Sequence, residues 1–195
     1  MPERAAGRRR DPRTDSAAVE VVLDLVSAGA SLSGLSLVTI AEQAGVSRNS
    51  LYRRWKTKED LYLDVLGTIN RPLPEFHGPS VREDLVALLS ILAERTLDRR
   101  ANSMLRALTS EAGAFPELYR HYFDDIVAPR RETAYRIIRR GIAAGEIRPD
   151  VDVGLVREVL VAPILAQMSS DSTEGLDPQE TSRQIVDLVY DGIRR

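Results

Sequence analysis

The chain has no cysteine among its 195 residues, which excludes disulfides, thiolate metal sites and cysteine nucleophiles. Its two histidines, His77 and His121, are too few for an all-histidine metal centre, and neither metal nor cofactor is expected. No apolar run approaches the roughly 18 residues that a membrane span requires. The opening MPERAAGRRRDPRTDS carries charge but lacks the apolar stretch of a signal peptide, so a cytoplasmic protein without a membrane partner is expected. Period-two alternation and internal repeats are missing as well. The usual patterns of catalytic residues are absent too. Asp124 and Asp125 are adjacent and cannot share one helix face, no Ser-His-Asp spacing occurs, and no glycine-rich phosphate loop follows a strand. An enzyme is not expected.

Apolar residues at helical spacing are abundant. With 43% hydrophobic residues the chain can build one large core or two small ones. Val19, Val22, Leu23 and Val26 mark a first helix within residues 14–30. Ser36 offers an N-cap for a short helix carrying Leu37, Ile40, Ala41 and Ala44, and Gly45 is placed to end it in the left-handed conformation. Ser47 can cap a third helix with Leu51 turned inward. Thr57, with Asp60 three residues on, caps a fourth that buries Leu61, Val65, Leu66 and Ile69.

NRPLPEFHGPS, residues 70–80, holds three prolines and a glycine and reads as a linker. It divides a helical unit at 14–69, preceded by a basic arm at 1–13, from a helical unit at 81–195. Ser80 and Glu83 form a capping box before Leu85, Leu88, Leu89 and Leu92. Another helix runs through Met104 and Leu108. Pro116 opens a long segment to about residue 144, in which Pro129 should kink or interrupt the helix. Residues 152–169 are apolar nearly all round and need cover on more than one side, and residues 178–194 carry a further apolar stripe. Their pairing with a second copy of the chain is expected.

The net charge of −2 conceals an asymmetry: residues 1–60 hold ten Lys/Arg against eight Asp/Glu, and the remainder hold 17 against 21. An acidic body with a basic end suits a protein that touches a polyanion with one part only. Residues 36–55 read as helix, glycine turn, helix, the arrangement in which a second helix enters the DNA major groove. Ser47, Arg48, Asn49, Ser50, Tyr52 and Arg53 are its exposed residues. Arg grips guanine and Asn grips adenine by paired hydrogen bonds, whereas Ser and Tyr hydroxyls reach phosphate. Lys58 lies at a helix N-terminus, where backbone N–H groups also favour phosphate.

The run IAEQAGVSRNSLYRRWKTKEDL, from Ile40 to Leu61, resembles the DNA-binding signature of TetR-type (tetracycline-repressor-like) transcriptional regulators. The resemblance covers the first third of the chain. It implies an all-α fold, with a three-helix helix-turn-helix unit followed by a helical ligand-sensing and dimerisation domain. It further implies a homodimer that represses transcription from a palindromic operator in double-stranded DNA, and that is released by a small-molecule effector. By position, Arg48, Asn49 and Ser50 fall where the family reads bases, and Tyr52 and Lys58 where it holds phosphates. Trp55 stands where a Phe or similar aromatic is usual, a packing variation.

The effector's identity does not transfer with the resemblance. Its pocket is expected among the helices that carry Met104, Leu108, Tyr119, Tyr122, Leu165 and Met168, with the fourth helix as the lever to the DNA-binding unit and an apolar ligand carrying few polar groups. The arginine pairs at 99–100, 130–131 and 139–140 read as solvated faces or intrahelical ion pairs, and the arginines of the arm as either a solvated tail or a DNA-contacting segment. An architectural DNA-binding protein without a sensor site is the alternative. A cavity of roughly 300 Å³ or more separates the two, because a scaffold would be solid.

Overall fold

The computed structural model describes residues 12–167 and 177–195. Helix α1 (Pro12–Ser27) buries Ala18, Val19, Val22, Leu23 and Val26 along one stripe, which joins the first hydrophobic core. The rest of the expected arm lies outside the described residues. Helix α2 (Leu37–Gln43) starts where the Ser36 hydroxyl accepts the N–H of Thr39 at 3.1 Å. Past its end, Gly45 adopts φ +65°, a conformation that an L side chain resists, and the chain turns sharply into α3 (Arg48–Arg54). Helix α4 (Lys58–Ile69) begins with a complete capping box. Thr57 Oγ1 accepts the Asp60 N–H, and the Asp60 carboxylate accepts that of Thr57, so the shorter acid suffices.

The second unit contains α5 (Val81–Leu97), α6 (Arg99–Ser110), α7 (Pro116–Tyr122), α8 (Ala128–Ala143), α9 (Val153–Gln167) and α10 (Pro178–Ile193). Ser80 caps α5 through the Glu83 N–H at 3.2 Å, but the reciprocal half of the expected box does not form; the Glu146 carboxylate instead accepts the next N–H, that of Val81, at 3.1 Å. Pro129 neither breaks the chain nor stops the helix. A π-helical turn over Phe123–Val127 joins α7 to α8 just before it, and this wider turn takes up the lost N–H and the ring's clash with the preceding carbonyl. Among the described residues there is no strand, only an isolated bridge between Ile147 and Arg194.

Packing does not follow the linker. One hydrophobic core joins α1–α4 with Met104, Leu105 and Leu108 of α6 and with Phe115 and Leu118 around α7. The other is built from α5, α8, α9 and α10. The linker is pinned rather than loose. Buried Asp84 accepts the Gly78 N–H at 2.9 Å and pairs with Arg140, which also donates to the Phe76 carbonyl. A Cβ at residue 78 would lie 2.5 Å from the Asp84 carboxylate, so a side chain there would have to displace that carboxylate from its bonds. Arg140, though partly exposed, is therefore tied to α5 and not paired within its own helix. Arg100 likewise ties α6 to Glu20 and Asp24 of α1, and Arg131 ties α8 to Glu158 of α9, so these ion pairs run between helices.

Candidate functional site

Helix α3 rests on two anchors. Leu51 is fully buried, and so is Trp55 at its end, whose indole N–H donates to Asp64 on α4 at 2.9 Å. Arg54 joins the same carboxylate at 3.2 Å and Asp15 of α1 at 3.0 Å. Trp55 is thus more than a packing variation, because it adds a polar tie that a Phe would lack. With one face held this way, Arg48, Asn49, Tyr52 and Arg53 fall together on the opposite, exposed face, which Ser47 begins. Ser50 is half-buried at the edge; its N–H caps onto Ser47 Oγ at 3.1 Å, and its hydroxyl accepts from the same group at 2.9 Å. The Arg48 guanidinium pairs with Glu42 on α2 across the turn, both side chains being well exposed. Such a pair contributes only about 0–1 kcal/mol, so it holds Arg48 weakly.

Lys58 is placed otherwise than expected. Its ammonium turns away from the helix N-terminus and donates to the carbonyls of Ser33 (2.9 Å), Leu32 (3.1 Å) and Leu35 (3.4 Å), over the ring of Phe115. The cause is electrostatic: the positive end of the helix dipole repels a cation, and three carbonyls lie within reach. At the helix start the Asp60 carboxylate accepts the N–H groups of Lys56 and Thr57, which precede it, and the Asp60 N–H is taken by Thr57 Oγ1.

The loop that Lys58 grips is also held from the second unit. Glu111, at the end of α6, accepts the N–H groups of Leu32 (2.7 Å) and Ser33 (2.8 Å) and the Ser33 hydroxyl. Burial alone would raise its pKa, but those hydrogen bonds and the charge of Lys58 outweigh it and hold the carboxyl below the usual range. Tyr62 completes the clamp by donating to the Leu32 carbonyl at 2.8 Å; burial, and then the charges of Glu111 and Glu59, push its phenol well up, so it stays a donor.

A cavity of about 930 Å³ opens where the two units meet. Its wall includes Glu20 and Leu23 of α1, Thr68 and Ile69 of α4, and residues of every helix from α5 to α9. Of the residues expected there, Tyr119, Tyr122 and Leu165 line it. Met104 and Leu108 do not: that face of α6 packs against α1, and both side chains are fully buried in the first core. Met168 lies outside the described residues. The apolar wall missed from the sequence is Leu85, Leu88, Leu89 and Leu92 of α5, with Leu105 and Leu160. These leucines were legible as a helix face, but nothing local told which part of the face met a void. Also missed were Arg95, Arg130 and Arg157, which bring positive charge to the wall. Burial, and then the charge of Arg95, push the Arg130 guanidinium down to about 10.

Residues 30–65 match the family described as bacterial regulatory proteins, tetR family, and residues 77–189 match the tetracyclin repressor-like C-terminal domain. The chain is 29% identical over 166 residues to YdeS, an uncharacterized HTH-type transcriptional regulator of Bacillus subtilis, covering 83% of this chain and 81% of that protein. It is 28% identical over 169 residues to the HTH-type transcriptional regulator AqdR of Rhodococcus erythropolis, covering 84% and 77%. Among solved structures it is similar to MexZ, described as a key repressor responsible for antibiotic resistance in Pseudomonas aeruginosa, with a TM-score of 0.75 at 19% identity over 95% of this chain and 96% of the other. At that identity the likeness to MexZ is one of fold.

Proposed function

This chain belongs to the TetR family of bacterial transcriptional regulators and is not an enzyme; from that premise we propose that it is an effector-released repressor, binding a palindromic operator as a homodimer. Arg48, Asn49 and Ser50 read base edges, and Ser47, Tyr52 and Arg53 hold the backbone beside them. Lys58 reaches phosphate only by leaving the loop carbonyls, so its first role is to fasten the reading head.

The dimer face lies on α9 and α10. Leu155 is 63% exposed, Val159 47% and Leu188 81%, in a chain whose other large apolar residues are mostly covered. Leu155, Val159, Ala162 and Ala166 form one exposed stripe at helical spacing along α9. Exposed apolar surface of this kind marks an interaction site.

The observation that carries the effector reading is the cavity. At about 930 Å³ it far exceeds the roughly 300 Å³ that a small-molecule site needs, and α1 and α4 of the reading head form part of its wall. A solid architectural protein would lack it. An effector releases DNA by binding better to the arrangement in which the two α3 helices are wrongly spaced, and by the same coupling energy DNA must weaken the effector.

The test is selection from a random duplex pool with the purified protein. An inverted repeat should emerge, with half-sites about one helical turn apart or a multiple of that, bound by two chains per duplex. Failure to enrich any sequence, or enrichment of a single half-site bound by one chain, would overturn the reading.

A further inference from the structure

Arg95 of α5 and Arg130 of α8, both in the cavity wall, converge on one buried acceptor at the end of α4. Each donates an Nη1 hydrogen to Oδ1 of Asn70, at 2.6 and 2.8 Å, and Arg130 Nη2 also reaches the Arg71 carbonyl at 3.0 Å. Among the described residues, no ion pair is formed by either guanidinium, and Arg95 Nε is buried without a hydrogen-bond partner. The carboxylates along the cavity are engaged elsewhere or lie in solvent: Glu20 pairs with Arg100, Asp98 caps α6, and Glu94 is exposed.

The charges do not balance. Asn70 is neutral, and the C-terminal end of α4 behind it supplies only about half a negative charge. One arginine would cap that helix; a second adds repulsion. A guanidinium cannot relieve this by losing its proton near neutral pH. Two adjacent positive charges, half-buried in a wall that also presents Leu88, Leu92, Leu105 and Leu160, await an anion.

We propose that the cavity is built for an amphipathic carboxylate, whose apolar skeleton lies against Leu88, Leu92, Leu105 and Leu160 and whose carboxylate bridges Arg95 and Arg130. This rests on reading the cavity as the effector site. A carboxylate matches the planar fork of a guanidinium and accepts from both at once. Among the donors it can draw on are the two Nη1 groups that now serve Asn70, the residue that ends α4 and whose own amide holds the Leu66 carbonyl at 2.8 Å. Ligand and lever thus compete for the same donors, and α4 carries the reading head.

The test uses the full-length protein and two fluorescent probes, dansyl-undecanoic acid and its methyl ester, each brightening as its ring enters an apolar site. The acid should bind at least about tenfold tighter than the ester, in keeping with the strength of charge-assisted hydrogen bonds. Arg95→Gln and Arg130→Gln should each remove most of that preference while ester affinity stays within about twofold, a readout that a merely structural role would not move. Arg95→Gln gives up only the bond to Asn70, so it serves if Arg130→Gln does not fold. Equal binding of acid and ester, no binding of the acid, or a preference that survives both substitutions overturns the proposal. Operator release is measured separately. If the acid binds with the stated preference and DNA is retained, the anion site stands and the effector reading falls; release by uncharged compounds without any acid preference gives the reverse.

Discussion

Removing the Glu111 side chain tests whether the two units are fastened as described. Glu111→Ala deletes a carboxylate that accepts from the Leu32 and Ser33 N–H groups and the Ser33 hydroxyl, and it removes a negative charge that interacts with Lys58. A hydrogen bond to a charged group contributes about 1.5–3 kcal/mol where it is shielded. Glu111 is half-buried, and water can replace part of what is lost, so roughly 2–3 kcal/mol is expected for the three together. For a chain of this size each kcal/mol moves Tm by about 2–4 °C, giving a fall of roughly 5–10 °C. The assay is thermal unfolding followed by circular dichroism, at one protomer concentration because assembly shifts Tm by mass action. The pH dependence is a second check. The carboxyl is held below its ordinary value of 4.5, so its charge stabilises the fold fully above that pH, and the contribution is lost as pH falls through the lowered pKa. The gap between wild type and Glu111→Gln should therefore be constant from about pH 6 upward and close in acid. A fall in Tm below about 2 °C for Glu111→Ala, or a gap that widens in acid, would refute the clamp.

The exposed stripe predicts that Leu188→Glu, alone or with Leu155→Glu, yields a folded monomer with unchanged helicity in sedimentation and circular dichroism; a persistent dimer would place the interface elsewhere. Asp84→Asn leaves Arg140 without its carboxylate, and breaking a buried pair costs about 3–5 kcal/mol. Arg140 is partly exposed, so about 2–3 kcal/mol is expected from urea unfolding, and a loss under about 1 kcal/mol would mean that the linker is held by other contacts.

The reading head was largely legible in the sequence because its signals are local. Ser36, Ser47 and Thr57 each cap the helix assigned to them, and each acts on an N–H three residues away. Gly45 is equally local, since its φ is dictated by the turn it makes. What could not be read is whatever depends on residues far along the chain. Lys58 sits at a helix start, yet its partners are 23 to 26 residues earlier. Arg130 looks like half of a solvated pair until the end of α4, about 60 residues away, is brought against it. Met104 and Leu108 have the apolar spacing of a lining face as much as of a core face, and only the placement of α1 decides between them. Pro129 announced a disturbance in its helix but not its form, because a π turn leaves no pattern in side-chain chemistry.

The central claim is that α3 reads base sequence through its exposed face. It is tested by measuring the affinities of wild type and Arg48→Ala for the selected operator and for every single-base variant of one half-site, all at one salt concentration because phosphate contacts make affinity salt-dependent. The account predicts a loss of about 1–3 kcal/mol for Arg48→Ala on the operator, with discrimination erased at one base pair per half-site and kept at the others. A loss of the same size on every sequence, with all preferences intact, would contradict it and leave Arg48 as one more phosphate contact.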